Sequence, residues 1–169
     1  MSGLAGIRHL DLCVRDLKKS LEFYCQLLGP LGWRVSEPHH EIVGEQGEHV
    51  IYLGSPAGFY QGAIGLRLAH EKTGPWAEPY NRYQPGLHHL ALNAPSRKAV
   101  DETWDWIRKT GIEHEGQPRD YYDIPYYAVF FRDPDGIKVE VAHYLEPGEI
   151  GYEDSGPSTQ VAVESPAIA

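Results

Sequence analysis

Ile7-Arg8-His9-Leu10-Asp11-Leu12 and Leu87-His88-His89-Leu90-Ala91-Leu92 are two versions of one segment. Both alternate, with a His at the third position and leucines at the fourth and sixth, the period of a strand with one buried face. A helical run follows each. Asp16 caps one in which Leu17, Leu21, Tyr24 and Leu28 recur at helical spacing before Gly29-Pro30. Ser96 caps the other, in which Val100, Trp104 and Ile107 form the apolar stripe before Gly111. A second echo closes each copy: Ile64-Gly65-Leu66-Arg67-Leu68-Ala69-His70 against Ile137-Lys138-Val139-Glu140-Val141-Ala142-His143. The chain is therefore read as a duplication.

Weaker strand patterns fill the rest of each copy, over 33–36, 49–53 and 63–69 in the first and 113–118, 125–132 and 137–143 in the second. The fold class expected is α+β, built from two βαβββ modules at 7–70 and 87–144. Gly74-Pro75, Pro79 and Pro85-Gly86 mark residues 71–86 as the linker. Asp133-Pro134-Asp135-Gly136 is read as a tight four-residue turn. Such a turn pairs Arg132 with Ile137, and hence Tyr127 with Ala142. Residues 145–169 contain no Lys or Arg but five acids, Glu146, Glu149, Glu153, Asp154 and Glu164, and are expected to form a poorly ordered acidic tail.

Composition excludes several classes of function. The 169 residues carry 15 basic and 24 acidic side chains, a net charge of −9, which argues against a nucleic-acid partner. No apolar run approaches the roughly 20 residues of a membrane span. Met1-Ser2-Gly3-Leu4 lacks the basic and apolar regions of a signal peptide, so a cytoplasmic protein with Cys13 and Cys25 as reduced thiols is expected.

Strand parity carries the chemistry. If Leu10, Leu12, Val14, Ile64, Leu66, Leu68, Leu90, Leu92, Ile137, Val139 and Val141 face their helices, the opposite phase is fixed. It holds His9 and Asp11, Gly65 and Arg67, His89 and Ala91, Lys138 and Glu140. His9, Arg67, His89 and Glu140 thus occupy equivalent positions away from the helices. Two imidazoles and a carboxylate suit a divalent ion such as Zn, Fe, Mn or Ni and leave coordination positions open. Arg67 cannot ligate a cation, but its fixed charge suits an anionic oxygen of a substrate. Lys138 shares this phase, at the rim of a cavity or exposed. His88 and His143 fall on the helix side. Tyr121, Tyr122 and Tyr126 either line an aromatic cavity or belong to the core.

The body of the chain resembles the vicinal oxygen chelate superfamily of glyoxalases, extradiol dioxygenases, fosfomycin-resistance transferases and bleomycin-resistance proteins. The segments that carry the likeness are Ile7–Val14, the Phe23-Tyr24 helix, Leu87–Leu92 and, most specifically, Phe130-Phe131-Arg132-Asp133-Pro134-Asp135-Gly136-Ile137-Lys138-Val139-Glu140. The resemblance implies paired βαβββ modules whose curved mixed sheets enclose a metal and substrate cavity. It also implies a divalent metal cofactor held by His9, His89 and Glu140. A glyoxalase I would have a fourth ligand, Glu, where this chain has Arg67. Dioxygenases of the family add a Tyr near the metal, a role for which the expected register selects Tyr127. The function implied is a metal-dependent lyase, isomerase or dioxygenase acting on a small oxygen-chelating substrate. The alternative is a non-catalytic binder like the bleomycin-resistance proteins. By analogy the partner is a second copy of the chain, in a homodimer.

Overall fold

The computed structural model describes residues 7–36, 42–43, 49–58, 62–69, 80–121 and 126–144. Residues 71–79 of the expected linker, His70, Tyr122 and the whole expected tail, 145–169, lie outside these.

The first half runs β1 (His9–Val14), α1 (Leu17–Leu28), β2 (Arg34–Val35), β3 (Ile42–Val43), β4 (His49–Gly54) and β5 (Ala63–Leu68). The second runs β6 (Leu90–Asn93), α2 (Arg97–Thr110), β7 (Arg119–Asp120), β8 (Tyr126–Arg132) and β9 (Lys138–Tyr144). The first sheet has the order β1-β5-β4-β2, with β3 also on β4; the second has β6-β9-β8-β7. Each sheet is mixed, because its first strand lies parallel to its last while the other pairs are antiparallel. The fold is therefore α+β, with the βαβββ motif twice, the first copy carrying β3 as an additional short strand.

Both helix starts are capped as the sequence predicts. The Asp16 carboxylate accepts from Lys19 N at 3.0 Å, and the Ser96 hydroxyl accepts from Ala99 N at 3.2 Å. The ends differ. Gly111 takes the left-handed conformation, φ +69°, that favours glycine, whereas Gly29 stays right-handed and the chain turns after it.

One core joins the halves. It contains Leu12, Tyr24, Leu28 and Leu66 from the first and Val100, Ile107, Phe131 and Val139 from the second. Across the seam Phe23 packs on Trp106 and Phe131, with ring centroids 5.5 and 6.3 Å apart. Polar clasps add to it. Tyr24 donates to Asp133 Oδ2 at 3.0 Å, Trp106 Nε1 donates to Gln26 at 3.0 Å, and Arg15 Nε pairs with Asp135 at 2.7 Å. The helix-facing sides of both sheets thus share this core, and each sheet keeps its other face away from it.

Three elements differ from expectation, the first being the short strand Ile42–Val43, which no strand pattern announces. The strand expected at 113–118 is only a bridge between His114 and Phe131, and the pairing segment is Arg119–Asp120. The turn after β8 has five residues, not four: Arg132 pairs with Lys138, and Asp133 Oδ1 accepts from the amides of Asp135 and Ile137 at 2.9 and 2.8 Å. That side chain makes the loop one residue wider than the Pro-Asp-Gly signature suggests.

Candidate functional site

The slip of one residue decides the site. A pairing shift by one moves a strand's whole side-chain set to the other face. Tyr127 pairs with His143, not Ala142, so it sits on the helix face. Its hydroxyl donates to Asp101 of α2 at 2.7 Å, and Arg97 lies 4.1 Å over its ring. Burial and the Asp101 bond push its phenol up to about 12. The expectation that Tyr127 stands on the Glu140 face is corrected: that place belongs to its neighbour Tyr126.

On the outer face of the second sheet Glu140 is 3% exposed. It lies opposite Phe130 on β8 and Ala91 on β6. Tyr126 donates to its Oε1 at 2.6 Å, and His89 Nε2 stands 3.2 Å from its Oε2. Burial first, then the bond to Glu140, pushes the Tyr126 phenol well above its ordinary range, so it stays protonated and remains the donor. His88 Nδ1 meets His89 Nδ1 at 2.7 Å, which requires one of the two nitrogens to carry the proton. Desolvation, His89 and the charges of Arg82, Lys138 and Arg132 hold the His88 imidazole below its ordinary value. Aromatic rings line the rest of this face: Tyr121 packs on Tyr126 and Phe130, and Tyr126 stacks on Tyr144 at 4.7 Å.

The first sheet carries a different set at the corresponding place. Leu10 pairs with Ile64 and Asp11 with Gly65, whereas Leu90 pairs with Val139 and Ala91 with Glu140. The sequence echo is thus offset by two residues from the strand pairing. Gly65, not Arg67, stands where Glu140 stands in the other sheet. A Cβ at Gly65 would collide with Asp11 Oδ1 and come within 2.7 Å of the Tyr52 ring. Asp11 leans over this glycine, and its Oδ2 accepts from Arg67 Nε at 2.5 Å and from Tyr52 at 3.3 Å. His9 is exposed and sets its ring edge against Tyr52, 5.9 Å between centroids.

Of the residues expected to hold a metal, His89 and Glu140 come together and His9 does not join them. Among the described residues no three His, Cys, Asp or Glu lie close enough to hold one ion. The donor chemistry of the second sheet nevertheless fits a divalent cation. A carboxylate this buried needs a positive partner, and a neighbouring imidazole nitrogen is 3.2 Å away. Lys138, expected at the rim or exposed, is 9% exposed and held by Glu115. Sequence reasoning gave Tyr126 no more than a lining role and assigned none to Tyr52 or Asp11. Asp11 was legible in the polar phase of β1; the bond from Tyr126 to Glu140 required the length of the turn.

A family model, the Glyoxalase/Bleomycin resistance protein/Dioxygenase superfamily, matches residues 6–141. The chain belongs to this superfamily. It is 30% identical over 138 residues to the uncharacterized protein YqjT of Bacillus subtilis, covering 80% of this chain and 96% of that one. It is 27% identical over 139 residues to the metallothiol transferase FosB of Staphylococcus haemolyticus, covering 82% and 83%. A third relative, the 2,2',3-trihydroxybiphenyl dioxygenase of Sphingomonas paucimobilis, is 26% identical over 165 residues, and this chain spans 48% of its length. Solved structures confirm the fold. A glyoxylase/bleomycin resistance protein/dioxygenase domain from Frankia has a TM-score of 0.66 at 23% identity, covering 85% of this chain and all of that one. A mutant of the fosfomycin resistance protein FosX from Listeria monocytogenes, complexed with Mn(II) and 1S,2S-dihydroxypropylphosphonic acid, has a TM-score of 0.57 at 18% identity, covering 86% and 94%.

Proposed function

We propose that this protein is a divalent-metal-dependent enzyme acting on a small substrate that chelates through neighbouring oxygens. The observation that carries the reading is the buried Glu140 carboxylate, aimed by Tyr126 and within 3.2 Å of a His89 nitrogen. The family membership and a metallothiol transferase among the relatives support it. In this reading His89 and Glu140 of one copy hold the metal together with His9 of a second copy. The apolar groove of about 540 Å³ lined by Leu10, Ile64, Leu90 and Leu92, along the edge strands β1 and β6, supports docking of that second copy. The bound ion would supply Lewis-acid polarisation of a substrate oxygen. Tyr126 fixes the carboxylate donor. Arg67, held by Asp11 on the face that carries His9, orients the substrate. The identity of the ion separates non-redox lyase or isomerase chemistry from oxygen insertion.

Elemental analysis of natively purified protein tests the reading. One ion per chain is expected, lost in Glu140→Ala and in His9→Ala. Mixing the two variants under conditions of subunit exchange restores about a quarter of the sites, because only mixed dimers rebuild one complete set. An ion-free wild type would replace the enzyme by a bleomycin-resistance-like binder. A mixture that regains no ion would end the two-copy assembly.

A further inference from the structure

A chain with net charge −9 gathers three cations around one carboxylate beside Glu140. Glu115 Oε1 accepts from Arg82 at 3.1 Å and from Arg132 at 2.9 Å, and its Oε2 accepts from Lys138 at 2.8 Å. Arg132 and Lys138 are moreover direct cross-strand partners on β8 and β9. Like charges in that relation destabilise a sheet. Glu115 can neutralise only one of the three, and although Glu113 lines the same cleft, no ion pair joins it to them among the described residues, so the cluster keeps an excess of positive charge. Burial would raise the Glu115 carboxyl, but the Lys138 bond and the three cations hold it below its usual range. It is therefore fully ionised at neutral pH, and the excess is not removed by its titration.

The cations are shaped to meet a ligand. The Lys138 side chain is 11% exposed, with its ammonium 4.1 Å over the Phe130 ring. Arg82 donates to the Tyr83 hydroxyl at 2.8 Å, which fixes its guanidinium. Arg82 and Arg132 line a cleft of about 560 Å³ with Tyr80, Tyr83 and one acid, Glu113. Among the described residues, the hydrogen bonds to Glu115 use one of the three Lys138 protons and one of the five Arg132 protons. Lys138 precedes Glu140 by two positions on the same face of β9, so their backbones are roughly 6.5–7 Å apart.

We propose that Arg82, Arg132 and Lys138 form a recognition site for an oxyanion, and that the substrate of the neighbouring His89–Glu140 centre is a small acid carrying that group. The group is a carboxylate or a phosphonate, both of which present two or more anionic oxygens to guanidinium and ammonium donors. Glu115 holds the three cations together until the anion arrives and shares them with it afterwards. The placement of the anion beside a metal rests on the function proposed above; the anion site itself does not.

The test uses the full chain after dialysis against a chelator, so that it stands whether or not a metal is ever found. Methylphosphonate, propionate and neutral propionamide are titrated separately by calorimetry at low and moderate salt. Saturable binding of at least one anion, absent for the amide and weakened by salt, is expected. Binding of methylphosphonate alone assigns phosphonic acids, of propionate alone carboxylic acids. Arg82→Gln and Lys138→Gln each weaken it by about tenfold. Glu115→Gln, which frees a third charge, tightens it by about threefold or more, a direction that a merely structural network would not give. Arg82, in a surface segment, provides the readout if Glu115→Gln fails to fold. No saturable binding of either anion by the wild type, or affinity unchanged in both Arg82→Gln and Lys138→Gln, overturns the proposal.

Discussion

The two sheets are copies of one motif and yet present opposite chemistry at matching points. In the second, Glu140 projects from β9 and finds Tyr126 and His89. In the first, Gly65 holds that position on β5, and the nearby carboxylate comes instead from Asp11 on β1, already paired with Arg67. A carboxylate fixed by a guanidinium at 2.5 Å has its charge compensated and is a poor ligand for a cation. A carboxylate flanked by a phenol and an imidazole still lacks a full counter-charge. Duplication thus supplied two equivalent positions, and a handful of substitutions left one with a buried carboxylate beside an imidazole and the other with a glycine beneath an Asp11–Arg67 ion pair.

The largest effect expected concerns the seam between the halves. Asp133 is 5% exposed, and burial raises its pKa to about 6, against 3.8 for the unperturbed group. A carboxyl whose folded pKa is raised stabilises the fold fully below the unfolded value and loses that contribution as pH rises through the folded one. The shift corresponds to up to about 3 kcal/mol. Urea midpoints measured from pH 3.5 to 7.5 are expected to fall for the wild type relative to Asp133→Asn between about pH 4 and pH 6, and to run parallel above pH 7. Curves parallel throughout would mean that the carboxyl titrates alike in both states.

Next comes Gly65→Ala, which asks whether the first sheet can accept a side chain where the second has Glu140. The Cβ collides with a carboxylate pinned by Arg67 and Tyr52, so a loss of about 2 kcal/mol in denaturant unfolding is expected. An unchanged midpoint would show that Asp11 gives way freely. Tyr126→Phe sharpens the other half of the comparison. Removing the donor that aims Glu140 is expected to lower metal affinity by about tenfold or more, measured by competition with a chromophoric chelator. Tyr127→Phe is the smallest change: metal affinity stays within about twofold, with under about 1 kcal/mol of stability lost with its exposed Asp101 bond. Reversed effects of the two tyrosine variants would restore the register expected from the four-residue turn.

The contrast between these tyrosines also marks how far residues alone can be read. Asp16 and Ser96 announce their helices because a cap is a local bond between a side chain and an amide three residues on. The alternation of β1 and β9 announces faces because apolar side chains alternate with polar ones, even though on β9 both faces are buried. The two-residue strands Arg34–Val35, Ile42–Val43 and Arg119–Asp120 carry no period and exist through their partners. The turn at Asp133 reads as a reversal, but its length depends on which amides the Asp133 carboxylate accepts, and one residue moved the site's tyrosine.

The sequence by itself determined the duplication, the α+β class, the capped helices and the phase that puts His89, Glu140 and Lys138 on one face, because local spacing and the alternation of apolar and polar side chains act within a few residues. Tertiary structure alone decided that Tyr126 rather than Tyr127 holds Glu140, that Gly65 rather than Arg67 matches it, and that His9 stands apart from His89. Those facts depend on strand register and on which faces share the core. Both are set by contacts between segments far apart in the chain, where a shift of one or two residues leaves every local pattern intact.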